Sequence, residues 1–599
     1  MLCLIGLQSI AQKKAPSAVD IRLLDLDTAL QRVLTTWKGA GFAVAVVEKN
    51  KIIYQKGFGY RDYEQKLPVT PNTLFAIGSC SKAFTAALIG KLQGEGKLAI
   101  DNPVSSFVPV IKFYNDEMNN NITLRDMMSH RTGLPRHDLS WYFFNTNARD
   151  SIIQRVQYQE PTAKLRSTWQ YNNFMYTAQG VIAEQLTGKT WEQNVKEHFF
   201  TPLEMITSNT SIAELEKSKD IAFGYKLYKD SIIKKVPYYH IDAMGPAGAI
   251  NSSVAEMANW TIAWLNGGKF KGKEIFPANF YSQAIASQMI IGGGLPSKER
   301  PDLHFSNYGL GWMLSSYKGH YRVEHGGNID GFSASTSFFP SDSIGIIVLT
   351  NQDGSKMPAL IRNLVSDKIL KLKYYDWNGD AKKAADKAKA EEQKLLATKQ
   401  QTSIKTFPPT HPYLDFEGIY QNAGYGTLRV YLKSDSLFAV AGGSKLWLKH
   451  YSYDIFSVYM VEKDQTIDST AAAPFKFQFQ MSVVGDIESL STTLEAGLKP
   501  LVFTKGVEAK ATAVKELQKY IGEYLLNGLT VKIYIKDNKT LFALVPGQPD
   551  YELIPLGKDK FALKVIAGYF VQFEAKEDKQ VTSLTFIQPN GNFKAEKKQ

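Results

Sequence analysis

Phe75-Ala-Ile-Gly-Ser-Cys-Ser-Lys82 reads as a turn opening a helix that continues through Ala83, Phe84, Ala87 and Leu88, and it carries Ser79-x-x-Lys82. On a helix, residues three apart share a face about one turn from each other, so an amine at position 82 reaches a hydroxyl at position 79. A serine hydroxyl is a poor nucleophile until a base takes its proton. Lysine becomes that base when burial and neighbouring positive potential bring its pKa down from about 10.4. The N-terminal end of the helix supplies such potential, and its amides can face a developing oxyanion. The same spacing in Ser315-Ser-Tyr-Lys318 falls in a β-rich run and is read as chemically silent, so the pair needs further elements before it counts as a site.

Two further elements supply them. Tyr171-Asn-Asn173 stands just before a helical pattern. There a tyrosine can pass protons between serine and leaving group, and an Asn amide can hold both a substrate carbonyl and the lysine. His325-Gly-Gly-Asn328 follows a strand that reads as ending at Val323-Glu324. Its glycines let the backbone approach a substrate, a following N–H can complete an oxyanion hole, and the imidazole can donate to an anion or a carbonyl. None of the three is specific alone: Tyr420-Gln-Asn422 repeats the second spacing without any companion.

Ser79-x-x-Lys82, Tyr171-x-Asn173 and His325-x-Gly327, in that order, resemble the three-motif pattern of class C β-lactamases, DD-peptidases and related esterases. The flanking text is similar to that group too: Pro71-Asn-Thr-Leu-Phe75, Leu98-Ala-Ile-Asp-Asn-Pro103, Ser129-His-Arg-Thr-Gly-Leu-Pro135 and Pro246-Ala-Gly-Ala-Ile-Asn-Ser-Ser253. The resemblance covers roughly residues 20 to 375. It implies that Ser79 is acylated, that Lys82 and Tyr171 handle protons, that Asn173 orients the substrate, and that Gly327 and Asn328 border substrate and oxyanion. The oxyanion hole would be the N–H groups of Ser79 and Asn328. His325 stands where most β-lactamases carry lysine. Histidine is largely neutral near pH 7, so the resemblance leans toward peptidases and esterases rather than antibiotic hydrolysis.

Outward from this centre, Ala43 to Val47 and Ile52 to Tyr54 read as paired strands. Helical patterns fill the middle, and Ser333 to Phe339 and Ile344 to Leu349 return to strands before a closing helix near Ala359 to Leu370. Strands at both ends and helices between predict an α+β domain over residues 12–375. The resemblance makes it β-lactamase-like: an antiparallel sheet flanked by helices, with a helical subdomain. Asp380 to Lys405 holds seven lysines, four acidic residues and no glycine or proline, so residues 376–410 read as a charged helical linker.

Beyond the linker, Phe416-Glu-Gly-Ile-Tyr420 matches Tyr520-Ile-Gly-Glu-Tyr524, and Leu437-Phe-Ala439 matches Leu541-Phe-Ala543. The register is kept, which predicts two all-β barrel-like repeats, 411–508 and 509–599, able to fold without the first 405 residues. Two small barrels or sandwiches, or two halves of one larger barrel, fit this pattern equally. The repeats resemble the lipocalin-like modules that follow such catalytic domains in some bacterial and archaeal peptidases.

The opening apolar run closes on Ser9-Ile-Ala11, which reads as a signal peptide over residues 1–11 and predicts a periplasmic or secreted enzyme. Only Cys3 and Cys80 occur, so no disulfide framework holds the mature chain. The net charge of +12 comes from scattered lysines without a nucleic-acid-binding signature. Nine histidines show no metal-ligand spacing, and no metal or cofactor is expected.

The expected function is acyl transfer to water through acyl-Ser79, on D-amino-acid-containing peptides, cell-wall fragments or esters. A non-catalytic envelope scaffold with a vestigial site, and a β-lactamase, are the alternatives. The partner is a small-molecule or peptide substrate and not nucleic acid, with room for cell-wall association and for a homo-oligomer built through the repeats.

Overall fold

The computed structural model describes residues 20–292, 298, 302, 304–401, 406–462, 465–483, 485–495, 497–506, 512–537, 539–564, 569–575, 580–588 and 591–598. The signal peptide read over residues 1–11 lies outside them. The chain forms two compact units: one runs to Asp138 and resumes over Thr146–Ser403, the other joins Leu139–Asn145 to Ile404–Gln599.

The first unit is α+β. Its main sheet has nine strands: β1 (Gly41–Glu48), β2 (Lys51–Asp62), β3 (Leu67–Pro68), β4 (Met289–Gly292), β5 (Ser306–Tyr308), β6 (Met313–Tyr317), β7 (His320–Ile329), β8 (Phe332–Phe339) and β9 (Ile344–Thr350). Their order is β4-β5-β6-β7-β8-β9-β1-β2-β3, and every neighbouring pair is antiparallel. The N-terminal strands therefore join the sheet beside the last strand of the domain, with Phe42 opposite Thr350 and Val46 opposite Ile346.

Strand β1 is buried along almost its whole length because helices cover both of its faces. Phe42, Val44 and Val46 pack with Leu30 and Val33 of α1 (Leu26–Thr36) and with Ile361 and Val365 of a C-terminal helix, Met357–Ile369. On the other face lies Val254–Leu265, so close that a Cβ on Gly345 of β9 would fall 2.3 Å from Thr261 Cγ2. Each buried valine here contributes about 1.5–3 kcal/mol relative to an exposed one.

The structure corrects the sequence reading at one decisive place. The third motif is not a turn after Glu324: β7 continues through His325, Gly326, Gly327 and Asn328 to Ile329, with His325 opposite Thr336 and Ile329 opposite Phe332 of β8. Pairing on β8 supplies the hydrogen bonds that glycine's weak strand preference does not, so the two glycines leave the ladder intact.

The charged segment after the domain is helical over Trp377–Gln401. In the second unit the repeats are two closed eight-stranded barrels, running from Gly418–Asn422 to Leu501–Gly506 and from Gly522–Leu526 to Gly591–Lys597, which decides among the three arrangements open to the sequence. Closure removes the exposed edges that an open sheet would carry. The repeat is physical as well as textual. Tyr420 and Tyr524 lie in the cores of their own barrels, and each hydroxyl donates to the carbonyl four residues earlier, Phe416 at 2.9 Å and Tyr520 at 2.8 Å. Among the described residues no helix is long and apolar enough to cross a membrane.

Candidate functional site

Ser79 sits in a 3₁₀ turn, Gly78–Cys80, that leads into α2 (Ser81–Gly94). Gly78 adopts φ 51°, and a Cβ there would lie 2.8 Å from the Asn328 nitrogen, so glycine lets this turn press against β7. Ser81 braces the turn from below: its buried hydroxyl donates to Gly78 O at 2.8 Å and accepts from Ile250 N at 3.1 Å.

One turn into the helix, Lys82 is fully buried, and its Nζ lies 3.0 Å from Ser79 Oγ and 2.7 Å from the Ala247 carbonyl. Its pKa lies well below the ordinary lysine value, chiefly because burial penalises the ammonium and secondarily because the Arg136 guanidinium is near. The amine is thus held toward its neutral form. The Ala247 carbonyl, and not the Asn173 amide, is what holds the lysine.

Tyr171 and Asn173 come from the start of α3 (Asn173–Thr187), where the Asn172 side chain caps the helix by accepting from Met175 N at 3.1 Å. The Tyr171 ring centre is 4.8 Å from Lys82 Nζ, and its phenol lies near the Ser79 hydroxyl. Desolvation pushes that phenol up, so it remains protonated through the neutral range. Asn173 Nδ2 donates to Asp138 Oδ1 at 2.8 Å.

The His325 imidazole is 1% exposed, with Nε2 2.9 Å from the Tyr308 hydroxyl and Nδ1 2.6 Å from Gly326 O. Nδ1 therefore carries the proton that it donates to Gly326 O, and Nε2 accepts from Tyr308. Burial, with Lys82 nearby, lowers its pKa to about 4. Both ring nitrogens are thus engaged within the protein. Gly327 has a different part: a Cβ on it would fall 1.9 Å from Ile77 O and 3.2 Å from Ser79 N. The Ser79 turn and the Gly327–Asn328 stretch of β7 are thus in close backbone contact.

The structure brings Ser79, Lys82, Tyr171, Asn173, His325, Gly327 and Asn328 to one end of α2 against β7. Ser315 and Lys318 are remote from it: Lys318 pairs with Asp367 at 2.8 Å. Tyr420 and Asn422 belong to the first barrel. Cys80 is buried, its thiol donates to His325 O at 3.2 Å, and burial pushes that thiol up to about 12, which suits a packed residue more than a reactive one.

Sequence reasoning missed Ala247, Tyr308, Arg136 and Asp138. A backbone carbonyl has no side-chain signature, and Tyr308 lies on a three-residue strand. Arg136 and Asp138 flank His137 just after Gly133-Leu-Pro135, where their charges were the available signal. His130 also lies beside the reaction centre. It lies 4.3 Å from the Tyr171 ring and 4.9 Å from Tyr308, accepts from Asn172 N at 3.1 Å, and is kept neutral by burial and by Lys82. Among the described residues no group of three or more His, Cys, Asp or Glu side chains is arranged to hold a metal ion.

The Beta-lactamase family model matches residues 26–370, more than half of the chain. The chain belongs to the Beta-lactamase family. It is a serine hydrolase of that family, whose members act through acyl-enzyme chemistry on peptide and ester substrates. A second match, over residues 402–505, is to a domain of unknown function, DUF3471, and coincides with the first barrel.

Unguisins hydrolase ungD' of Aspergillus campestris is 30% identical over 433 residues, 68% of this chain and 78% of that protein. Unguisins hydrolase ungD of Aspergillus violaceofuscus is 26% identical over 439 residues, 68% and 76% of the two. The octameric penicillin-binding protein homologue from Pyrococcus abyssi shares the fold, with a TM-score of 0.53 at 21% identity over 80% of this chain and 99% of that one.

Proposed function

We propose that this Beta-lactamase-family hydrolase is exported and transfers the acyl group of D-amino-acid-containing peptides, cell-wall fragments or esters to water through Ser79. The observation that carries this is the 3.0 Å approach of Lys82 Nζ to Ser79 Oγ inside a site that disfavours the ammonium. With one N–H on the Ala247 carbonyl, the neutral amine has a lone pair for the Ser79 hydroxyl proton.

As Ser79 Oγ bonds to the substrate carbonyl carbon, the carbonyl π pair moves onto oxygen, beside the Ser79 and Asn328 amides. The pair returns, the C–N or C–O bond breaks, and the Tyr171 phenol gives the leaving group a proton that Lys82 replaces. Water then attacks the acyl carbon of acyl-Ser79 as Lys82 takes its proton; the C–Oγ bond breaks, Lys82 returns that proton to Ser79 Oγ, and the acid leaves with Ser79 and the neutral amine restored. Asn173 and Asp138 border the acyl side of this path, where they orient the substrate.

His325 is buried and neutral, so it offers no fixed charge to a β-lactam carboxylate, which favours neutral esters and peptides over antibiotics. The lipocalin-like reading of the repeats belongs to this proposal, and their closure as two eight-stranded barrels supports it. The filled interior of the first suits a scaffold rather than a ligand carrier, and self-association through the barrels is measurable by light scattering.

The test is fluorophosphonate labelling read by intact-mass spectrometry, with hydrolysis of p-nitrophenyl esters, D- and L-aminoacyl amides and a chromogenic cephalosporin. Ser79→Ala is expected to lose label and turnover by on the order of 10³ or more, while Ser315→Ala keeps both. An adduct at Ser81 or Ser315, or no adduct in a folded protein, refutes the reading and returns the vestigial scaffold. Efficient cephalosporin turnover refutes the substrate preference.

A further inference from the structure

Leu139–Asn145 packs with the first barrel, although the chain on either side of it belongs to the hydrolase domain. Phe144 is 6% exposed within the barrel core, its ring stacked 5.5 Å from Phe503 and set edge-on to Tyr425 at 6.1 Å. Phe143 meets Phe475 edge-on at 6.0 Å. Polar contacts fix the segment along its length. Leu139 N donates to Glu495 Oε1 at 3.0 Å, Ser140 Oγ donates to Gly424 O at 2.7 Å, and Gly443 N donates to Asn145 Oδ1 at 3.2 Å. The space left between these rings and Leu428, Leu446 and Leu494 is about 10 Å³, at or below what a single water needs. The segment is thus part of the barrel's filling.

The residues just before it lie at the reaction centre. Asp138 Oδ1 accepts from Asn173, Asp138 Oδ2 accepts from Arg136 Nε at 2.6 Å, and the Arg136 guanidinium sits 4.8 Å from the centre of the Tyr171 ring. Asp138 and Leu139 are joined by one planar peptide, which fixes their Cα atoms about 3.8 Å apart. The Leu139 N–H donates to Glu495 and the Asp138 carboxylate accepts from Asn173 of α3, so the two contacts fall on adjacent residues of the chain.

We propose that the first barrel is a positioning element of the hydrolase: by enclosing Leu139–Asn145, with Phe144 as the chief positioning residue, it holds Arg136 and Asp138 against Tyr171 and Asn173. The barrel then acts on the chemistry through these two side chains without contributing a catalytic residue. Its effect has a definite sign. Arg136 disfavours the Lys82 ammonium, while Asp138 and Cys80 favour it more weakly; Tyr171, Tyr176, His130 and His325 complete the titratable surroundings of the amine. Loosening the segment withdraws Arg136 and Asp138 together, and the larger influence, that of Arg136, decides the outcome. Lys82 then holds its proton to higher pH, and the acid limb of the rate profile moves upward.

The inference rests on Ser79 and Lys82 as the reaction centre, and the experiment separates the two. Full-length Phe144→Leu and Phe503→Leu are compared with Arg136→Gln and with Phe573→Leu, a core change in the second barrel. Fluorophosphonate labelling and p-nitrophenyl acetate hydrolysis are followed against pH, and hydrogen exchange is followed over residues 130–138. Phe144→Leu and Phe503→Leu are expected to lower kcat/KM by about 10-fold to 10²-fold, to shift the acid limb upward as Arg136→Gln does, and to speed exchange over 130–138. Arg136→Gln added to Phe144→Leu should cost little more, because both act through one contact.

Phe573→Leu should leave profile and exchange unchanged. Phe503 lies wholly within the barrel, so its variant carries the test even where Phe144→Leu does not fold. Wild-type rates, profile and exchange in folded Phe503→Leu overturn the proposal, as does an equal loss in Phe573→Leu. A wild-type protein that takes no label refutes Ser79 instead, and the exchange measurement still decides whether the barrel holds the segment.

Discussion

Gly326 and Gly327 are neighbours on one strand, and the structure assigns them opposite tolerance. A Cβ on Gly327 would fall 1.9 Å from Ile77 O, 2.9 Å from Ile77 C and 3.2 Å from Ser79 N, all backbone atoms that no rotamer change can clear. A Cβ on Gly326 meets only Ala334 O, at 3.7 Å. Neither has positive φ, so alanine fits the backbone conformation at both and space alone separates them. A carbon settles about 3.3 Å from a carbonyl oxygen, so Gly327→Ala must drive β7 and the Ser79 turn apart by about 1.4 Å. Overpacking of this kind costs about 1–3 kcal/mol of stability. A displacement of about 1 Å at a reacting constellation costs about 10²-fold in rate. The amides proposed as oxyanion donors sit on the two elements being separated, so kcat should fall more than KM rises. The assay is ester hydrolysis and phosphonate labelling at a temperature well below the melting point of each variant. Gly327→Ala within about threefold of wild type, or Gly326→Ala as damaging as Gly327→Ala, would refute the argument that this contact sets the oxyanion geometry.

Lys82 gives a prediction of sign. Its folded pKa is depressed, so between that value and the unfolded value near 10.5 the unfolded chain binds the extra proton and stability rises with pH. Thermal melts from about pH 6 to about pH 9 should show that gain in wild type and less of it in Lys82→Met, which also loses turnover; equal slopes would mean that the amine is charged in the folded protein. The sequence predicts two repeats that fold without the first 405 residues, and the make-up of their cores predicts that they differ in autonomy. The second barrel's core is made of its own residues, so 512–599 should fold alone, whereas a fragment of residues 406–506 lacks Phe144 and should lose about 3–5 kcal/mol, partly restored by a peptide of residues 138–146. Equal cooperativity of the two fragments by circular dichroism, with no response to the peptide, would contradict this.

Much was legible in the sequence because it depends on spacing along one element. Ser79 and Lys82 are a helical turn apart whatever surrounds them, and strand alternation kept in register between Gly418 and Gly522 announces a duplicated β module. The α+β order of strands, helices and strands follows from local periodicity in the same way. Tertiary structure alone decided the rest. Only folding places the Ala247 carbonyl on Lys82, 165 residues away, and sets Tyr308 on His325 so that the imidazole has no free nitrogen. The run of β7 through both glycines depends on its partner strand, since a ladder lends a weak strand former hydrogen bonds that its own sequence does not predict. Trp141-Tyr-Phe-Phe144 is visibly apolar, but apolar burial has no direction, so the sequence says that these rings must leave water and not which core receives them.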